Sequence, residues 1–249
     1  METSANKPGA AIRTVTFLMP CLNEANTVGD CVAIASQTLQ ALQWRGEILV
    51  VDNGSSDSSV AVAAAAGARV LQVAQRGYGV ALRAGIAAAQ GDYIIMGDSD
   101  LSYDFAPASL KPYLEVLDAG ADLVIGNRFT GGIKPGAMSA LHRYIGTPMM
   151  TWAVNRMFGT RIGDINCGLR AFRRSAIGAL GLQSDGMEFA SEMVIRAAQA
   201  GLVISEVPTT LFPDGRNRKS HLRSFPDGAR HLRVWVRLWL AQHHKNDPA

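Results

Sequence analysis

Long apolar runs are missing from this 249-residue chain: no unbroken hydrophobic stretch is long enough to cross a bilayer, and residues 1–10 lack the apolar centre of a signal peptide. A soluble or peripheral protein is expected. Cysteine is scarce. Cys21, Cys31 and Cys167 are odd in number and lack paired metal-ligand spacing, which argues against a disulfide framework or zinc site and for a reducing cytoplasm. No Walker lysine is present. Gly77-Tyr78-Gly79 opens a predicted helix, but its spacing toward Gly85 does not make a dinucleotide fingerprint. Hydride transfer and P-loop hydrolysis are thereby set aside. Also missing is the Arg- and Lys-bearing glycine loop that a sugar-nucleotide-forming enzyme would want after its first strand. There is no internal repeat and no domain linker.

What is there is ample core material and an uneven charge. Hydrophobic residues make up 48% of the chain, enough for a sizeable core, and the formal net charge of +3 is mild. Its distribution is not mild. Arg216, Arg218, Lys219, His221, Arg223, Arg230, Arg233 and Arg237 crowd the C-terminal part, where an anionic partner other than nucleic acid is expected.

Apolar and β-branched runs at residues 15–19, 47–51, 69–73 and 93–96 read as strands, separated by helical patterns at 28–44, 60–66 and 77–89. A helix to residue 119, a strand at 122–125, a flexible loop at 131–136 and a helical stretch at 142–158, starting or kinking near Thr147, follow. The last elements are a strand at 167–172, a helix at 188–200, a strand at 202–211 and a helix at 226–243. Strands alternating with helices imply right-handed crossovers and a mostly parallel, Rossmann-like α/β sheet flanked by helices. Ligands then bind beyond the carboxyl ends of the strands. Segments 20–24, 52–55 and 98–102 all fall at that edge and are predicted to line one crevice. Within it Asp98 and Asp100, one residue apart past a strand end, suit Mg²⁺ or Mn²⁺ carrying a diphosphate, with Ser99 facing away. An acidic turn capping the next helix is the plainer alternative.

With these residues read, the chain resembles the family 2 glycosyltransferases of GT-A fold. The resemblance rests on Met19-Pro20-Cys21-Leu22-Asn23-Glu24, Val51-Asp52-Asn53-Gly54-Ser55-Ser56-Asp57, Arg76-Gly77-Tyr78-Gly79-Val80-Ala81-Leu82 and Gly97-Asp98-Ser99-Asp100. Further on, Asp164-Ile165-Asn166-Cys167-Gly168-Leu169-Arg170-Ala171-Phe172, Glu206-Val207-Pro208 and Arg216-Asn217-Arg218-Lys219-Ser220-His221-Leu222 look like the polyprenyl-phosphate branch, the dolichyl-phosphate mannose or glucose synthase type. The resemblance implies a flexible N-terminus at 1–12, a GT-A domain at 13–225 and an amphipathic C-terminal helix and tail at 226–249. It implies that Pro20, Leu22, Glu24, Val51, Asp52, Asn53, Ser55, Arg76 and Ser99 hold the nucleotide of a UDP- or GDP-sugar. Asp98 and Asp100, with Ser102, would hold the metal. The negative charge of a phosphate acceptor, rather than the resemblance, points to Arg128, Arg143, Arg216, Arg218 and His221 as its contacts, since a guanidinium offers a planar fork to phosphate; a solvated charged face is the plainer alternative. Two positions depart from the pattern: Asn53 stands where many relatives have Asp, leaving uracil and guanine both open, and Ser102 where mannose-type relatives have Gln.

The expected activity is inverting transfer of a sugar to a polyprenyl phosphate at the cytoplasmic membrane face. Transfer to a soluble hydroxyl acceptor would demand a carboxylate base, for which Asp164 is a candidate, although an Asp before such a turn more often orients the loop. Glu188 and Glu192, one helical turn apart, can both face the site. A third reading is a non-catalytic nucleotide-binding or membrane-adaptor module. In the C-terminal helix, Leu232, Trp235, Val236 and Trp239 gather on one side and Arg230, Arg233 and Arg237 on the other, the pattern of a reversible anchor in anionic lipid or of a helix packed on the domain.

Overall fold

The strands carry near-continuous apolar runs because helices cover both faces of the sheet they build, so neither face meets water. The computed structural model describes residues 14–215 and 224–244, the side chains of 224–227 and 244 excepted. The N-terminus expected to be flexible lies outside them, as do Arg216, Arg218 and His221. In order, the chain forms β1 (Thr14–Cys21), α1 (Val28–Ala41), β2 (Arg45–Asp52), α2 (Ser59–Ala65), β3 (Arg69–Gln72), α3 (Tyr78–Ala88) and β4 (Tyr93–Met96). There follow α4 (Pro107–Asp118), β5 (Leu123–Asn127), the short α5 (Arg128–Gly131), a π turn (His142–Gly146) and α6 (Thr147–Phe158). β6 (Arg170–Arg173), α7 (Arg174–Gly178), α8 (Phe189–Gln199), β7 (Ile204–Pro208) and α9 (Ser224–His244) complete it.

The seven strands lie in the order β3-β2-β1-β4-β6-β5-β7. β6 alone in this sheet runs antiparallel, paired with β4 on one side and β5 on the other. β1 is flanked by β2 and β4, both parallel to it, so chain order reverses there and the loops after β1, β2 and β4 open a crevice at one edge. Helix α1 shows how sequence sets the packing: Val28, Cys31, Val32 and Ala35 recur at helical spacing and are all buried against the sheet. One continuous core runs from β1 through β4 and α8 to Trp235 and Leu238 of α9.

Local chemistry explains where the elements differ from expectation. The predicted loop at 131–136 is preceded by α5, because the Asn127 side chain caps it by accepting from the Phe129 and Thr130 amides, and Ile133 bridges to Leu211. The helical stretch breaks at Gly146–Thr147 as the pattern implied: Pro148 has no N–H to donate, and a π turn precedes α6. The strand predicted from Cys167 begins at Arg170, while β7 stops at Pro208. All three cysteines are buried free thiols, and burial pushes the thiols of Cys21, Cys31 and Cys167 up to about 11, 12 and 11.

Candidate active site

The loops after β1 and β2 are stitched together by short polar side chains, which is why both are rich in Asn, Ser and Asp. Asn23, in the left-handed region at φ 56°, donates its amide to Ser55 Oγ (2.8 Å) and accepts from the Ser56 amide through Oδ1 (2.6 Å). The Glu24 amide donates to Ser59 Oγ at the start of α2 (2.7 Å). Asp52 accepts from the amides of Gly54 and Ser55. Asn53 is spent on the backbone: its amide nitrogen donates to the carbonyls of Val73 and Gln75, and its Oδ1 accepts from the Gly77 amide (2.6 Å). An aspartate there would lose both donations. The glycine pair then has a structural reason, since a Cβ on Gly77 or Gly79 would collide with the carbonyls of Asp185 and Ser184.

The acid loop after β4 is held with similar care. Tyr78, at the start of α3, donates its hydroxyl to Asp98 Oδ1 (3.1 Å); burial, together with the Asp98 charge, raises the phenol well above its ordinary value and keeps it a donor. Asp100 Oδ1 accepts from both the amide and the hydroxyl of Ser102, at 3.0 and 2.5 Å. Ser99 turns away from the acids and donates to the Pro20 carbonyl (2.9 Å). Leu101 takes a left-handed φ of 64°, an uncommon conformation for a bulky side chain, and the carbonyls on either side of it receive the amides of Gly215 and Phe212.

These loops open on a cavity of about 570 Å³, a size ordinary for small-molecule sites. Of the residues expected to hold a nucleotide or metal, Pro20, Leu22, Glu24, Asn53, Arg76, Asp98, Ser99 and Asp100 line it together. Asp52 and Ser55 stand behind that wall as loop supports. Val51 is a fully buried β2 residue whose side chain faces Gly85 in the core, and Ser102 is taken up in holding Asp100 rather than placed on the cavity wall.

Two arginines expected at the acceptor phosphate lie off the cavity lining, and two others line it. Arg128 is only 8% exposed, and its Nε and Nη2 grip Asp164 at 2.6 and 2.7 Å, away from the cavity lining. Burial works to lower this guanidinium's pKa and is outweighed by Tyr103 and Asp164, which raise it. The Nε–Nη2 edge of this guanidinium is closed on a carboxylate. The same pair ties Asp164, fully buried, to loop support rather than to proton transfer. Arg143 sits on the π turn over the Tyr144 ring, off the cavity. Besides Arg76, the cations that line it are Arg230 and Arg233 of α9, with Arg230 beside the wall of Asp185, Gly186, Met187 and Glu188. Sequence reasoning assigned those arginines only to the polar face of a helix; nothing in their spacing reveals that α9 folds back over the crevice.

Among the described residues no three or more His, Cys, Asp or Glu side chains gather as metal ligands. Two carboxylates on a cavity wall suit a hard divalent ion that keeps waters and takes further ligands from phosphate, so Asp98 and Asp100 fit Mg²⁺ or Mn²⁺.

A mostly parallel sheet with a nucleotide-sized cavity at its reversal point and an acid pair on the loop beyond β4 defines a GT-A architecture. The chain belongs to glycosyl transferase family 2, whose model matches residues 16–181. It is 39% identical over 224 residues to the low-salt glycan biosynthesis hexosyltransferase Agl6 of Haloferax volcanii, covering 90% of this chain and 53% of that protein. The chain thus spans about half the length of that relative. It is 29% identical over 194 residues to the dolichyl-phosphate hexose transferase of the same organism, covering 78% and 81% of the two chains. In fold it is similar to glucosyl-3-phosphoglycerate synthase from Mycobacterium tuberculosis, crystallised with Mn²⁺, UDP-glucose and phosphoglyceric acid, with a TM-score of 0.69 at 22% identity over 94% of this chain and 86% of that one.

Proposed function

We propose that this chain carries out inverting transfer of a hexose from a nucleoside diphosphate sugar to a polyprenyl phosphate at the cytoplasmic face of a membrane. One observation carries the reading: a single helix joins the cavity to an apolar surface. Arg230 and Arg233 of α9 line the cavity, while Leu232, Val236, Trp239 and Leu240 of the same helix are exposed. The neighbouring π turn and α6 add Leu141, Tyr144, Ile145, Met149 and Trp152, all more than half exposed, beside Arg143. Exposed apolar surface of this extent, mixed with tryptophan and arginine, suits the boundary between lipid headgroups and acyl chains. No helix among the described residues is long and apolar enough to cross a membrane, so a surface contact is the form of attachment this part of the chain offers. The relatives named for hexosyl transfer and for dolichyl phosphate support the same choice.

The chemistry follows from where charge sits. The nucleoside end of the donor lies along Pro20, Leu22, Asn53 and Arg76, and the diphosphate lies at Asp98 and Asp100. A divalent ion held there would supply positive charge to the departing diphosphate. An acceptor phosphate oxygen forms a bond to the sugar C1 from the face opposite the leaving group. The bond from C1 to the diphosphate oxygen breaks, and the nucleoside diphosphate leaves with the electron pair. A phosphate monoester is already an anion near neutral pH, so no side chain has to remove a proton. Arg230 and Arg233 orient that anion and offset its charge beside the two acids.

The test is transfer of labelled hexose from UDP- and GDP-sugars, with Mn²⁺, to a polyprenyl phosphate in liposomes. A lipid-linked sugar phosphodiester of inverted anomeric configuration is expected, and Arg233→Ala should raise the lipid-phosphate requirement more than the donor requirement. Transfer confined to soluble hydroxyl acceptors would overturn the reading. That second reading has one observation in its favour, the carboxylate of Glu188 on the cavity wall, where a base would be needed.

A further inference from the structure

Glu188 carries a buried oxygen that the described residues leave unpaired. The residue is 7% exposed, and its Oε1 accepts from the Gly186 amide at 3.1 Å. Oε2 is buried with no hydrogen-bond partner among the described residues. A buried acceptor without a donor forfeits its hydration with nothing in return, so a carboxylate is not kept in that state for packing. Gly186 leaves a gap over it: a Cβ there would stand 2.6 Å from Oε2 and 3.3 Å from Arg230 Nη1.

The surrounding loop is braced, so the oxygen's place is set before any ligand arrives. Arg83 grips the Ser184 carbonyl and the Asp185 carboxylate, at 2.6 and 2.7 Å. From the other side, Glu192 Oε2 accepts from the amides of Gln183 and Ser184. Glycines at the start of α3 let that loop close on the cavity, where the Gly79 amide donates to Asp185 (2.9 Å). Rigid placement of an acceptor that lacks a donor is how a site recognises a hydroxyl. With the nucleoside on the Pro20 and Asn53 wall and the diphosphate at the acid pair, the wall left for the sugar is Gly186 to Glu188 with the α9 arginines.

We infer that Glu188 is the residue that reads the donor hexose, its unpaired carboxylate oxygen accepting a hydrogen bond from one sugar hydroxyl. The inference rests on the nucleotide-sugar reading of the cavity and sets Glu188 apart from a base acting on the acceptor. A base touches the acceptor and leaves donor binding in its absence unchanged. A sugar reader changes donor binding with no acceptor present.

The experiment is calorimetric binding, with Mn²⁺ and without acceptor, of UDP, GDP and their hexose conjugates to the wild-type chain, Glu188→Gln and Gly186→Ala. The first variant removes the charge, and the second displaces the oxygen by a Cβ while keeping it. Both should bind the nucleoside diphosphate as the wild type does and bind its hexose conjugate roughly 10- to 100-fold more weakly, the value of one hydrogen bond to a charged acceptor. Conjugates lacking one ring hydroxyl at a time, titrated against the wild type, should show one position with a matching loss. That loss should disappear in Glu188→Gln. If Glu188→Gln does not fold, the deoxy series on the wild type decides alone. Equal affinity of both variants and the wild type for the hexose conjugate, with no deoxy position standing out, would overturn the inference and leave nucleotide binding intact. Failure of the wild type to bind either nucleoside diphosphate would instead overturn the reading of the cavity, and this inference with it.

Discussion

Two buried arginines show how one residue type serves ends that sequence alone does not separate. Arg170 is fully buried and donates to the carbonyls of Ile165, Cys167 and Ala190, at 2.7, 2.9 and 2.7 Å, so its guanidinium splints the turn before β6 to α8. Burial lowers its pKa from the ordinary value. Arg170→Met keeps the length and removes the donors; with three carbonyls stranded, stability should fall by about 3 kcal/mol, or roughly 6 to 12 °C in melting temperature. Retention of the wild-type melt would show that the carbonyls find other donors. Arg128→Ala strands the Asp164 carboxylate in the core and should cost about 3 to 5 kcal/mol, the usual penalty for breaking a buried pair. A role in acceptor binding predicts the reverse, an unchanged melt with a raised acceptor requirement. Arg170 stands in a motif legible in the sequence and Arg128 is legible only as a candidate phosphate ligand, but whether a guanidinium meets phosphate or protein is settled by which carboxylates and carbonyls the fold brings around it.

Helix α9 was legible as an amphipathic helix and misread in its faces. The wheel grouped Trp235 and Trp239 together, whereas α9 turns His231, Trp235 and Leu238 inward and leaves Leu232, Val236, Trp239 and Leu240 exposed. Trp235 Nε1 donates to Ser191 Oγ (2.9 Å), and the same oxygen pairs with His231 Nδ1. Trp235→Ser should therefore lower stability by about 3 to 5 kcal/mol, measured as a shift in denaturant midpoint. Val236→Ser with Leu240→Ser should leave the midpoint in place and weaken sedimentation with anionic liposomes; an unchanged liposome affinity would remove α9 from the membrane contact. A periodicity of 3.6 residues marks an apolar stripe, but two apolar stripes on one helix become distinguishable only when a neighbour covers one of them.

The junction of α8 and α9 also titrates. Glu192 is fully buried, and although burial works to raise its pKa, the Ser184 amide, Arg196 and the Gln183 amide together hold it below the ordinary carboxylate value of 4.5. Arg237 of α9 adds a contact at 3.8 Å. A pKa depressed by folding means stability present above the unfolded value and lost as pH falls through the folded one. Glu192→Gln should accordingly flatten the stability curve below about pH 4.5 relative to the wild type. An acid limb of unchanged steepness would place the titration elsewhere.

At the scale of the whole molecule the crevice couples distant segments, so ligand binding should be visible in global stability. A nucleoside diphosphate with Mn²⁺, at a hundred times its dissociation constant, adds about 2.7 kcal/mol to the folded state. Asp98→Asn and Asp100→Asn should each lose the Mn²⁺-dependent part of that stabilisation in a thermal shift assay. Asp98 accepts from Tyr78 and Asp100 from Ser102, contacts an amide oxygen can keep, so the unliganded melt should change little. Stabilisation that ignores Mn²⁺ in the wild type would separate the acid pair from the metal.

The alternation of apolar strands and helices, the polar segments placed at strand ends and the acid pair after β4 were determined by the sequence itself. Each depends on local periodicity or on the order of elements, and handedness leaves a parallel α/β sheet few ways to arrange them. What the tertiary structure decided was the reversed strand β6, the closure of Arg128 on Asp164, the inward turn of Trp235 and the arrival of Arg230 and Arg233 at the cavity. These depend on which side chains from remote parts of the chain share one volume. Burial and pairing free energies of several kcal/mol are fixed by those neighbours, and a reading along the chain carries no information about them.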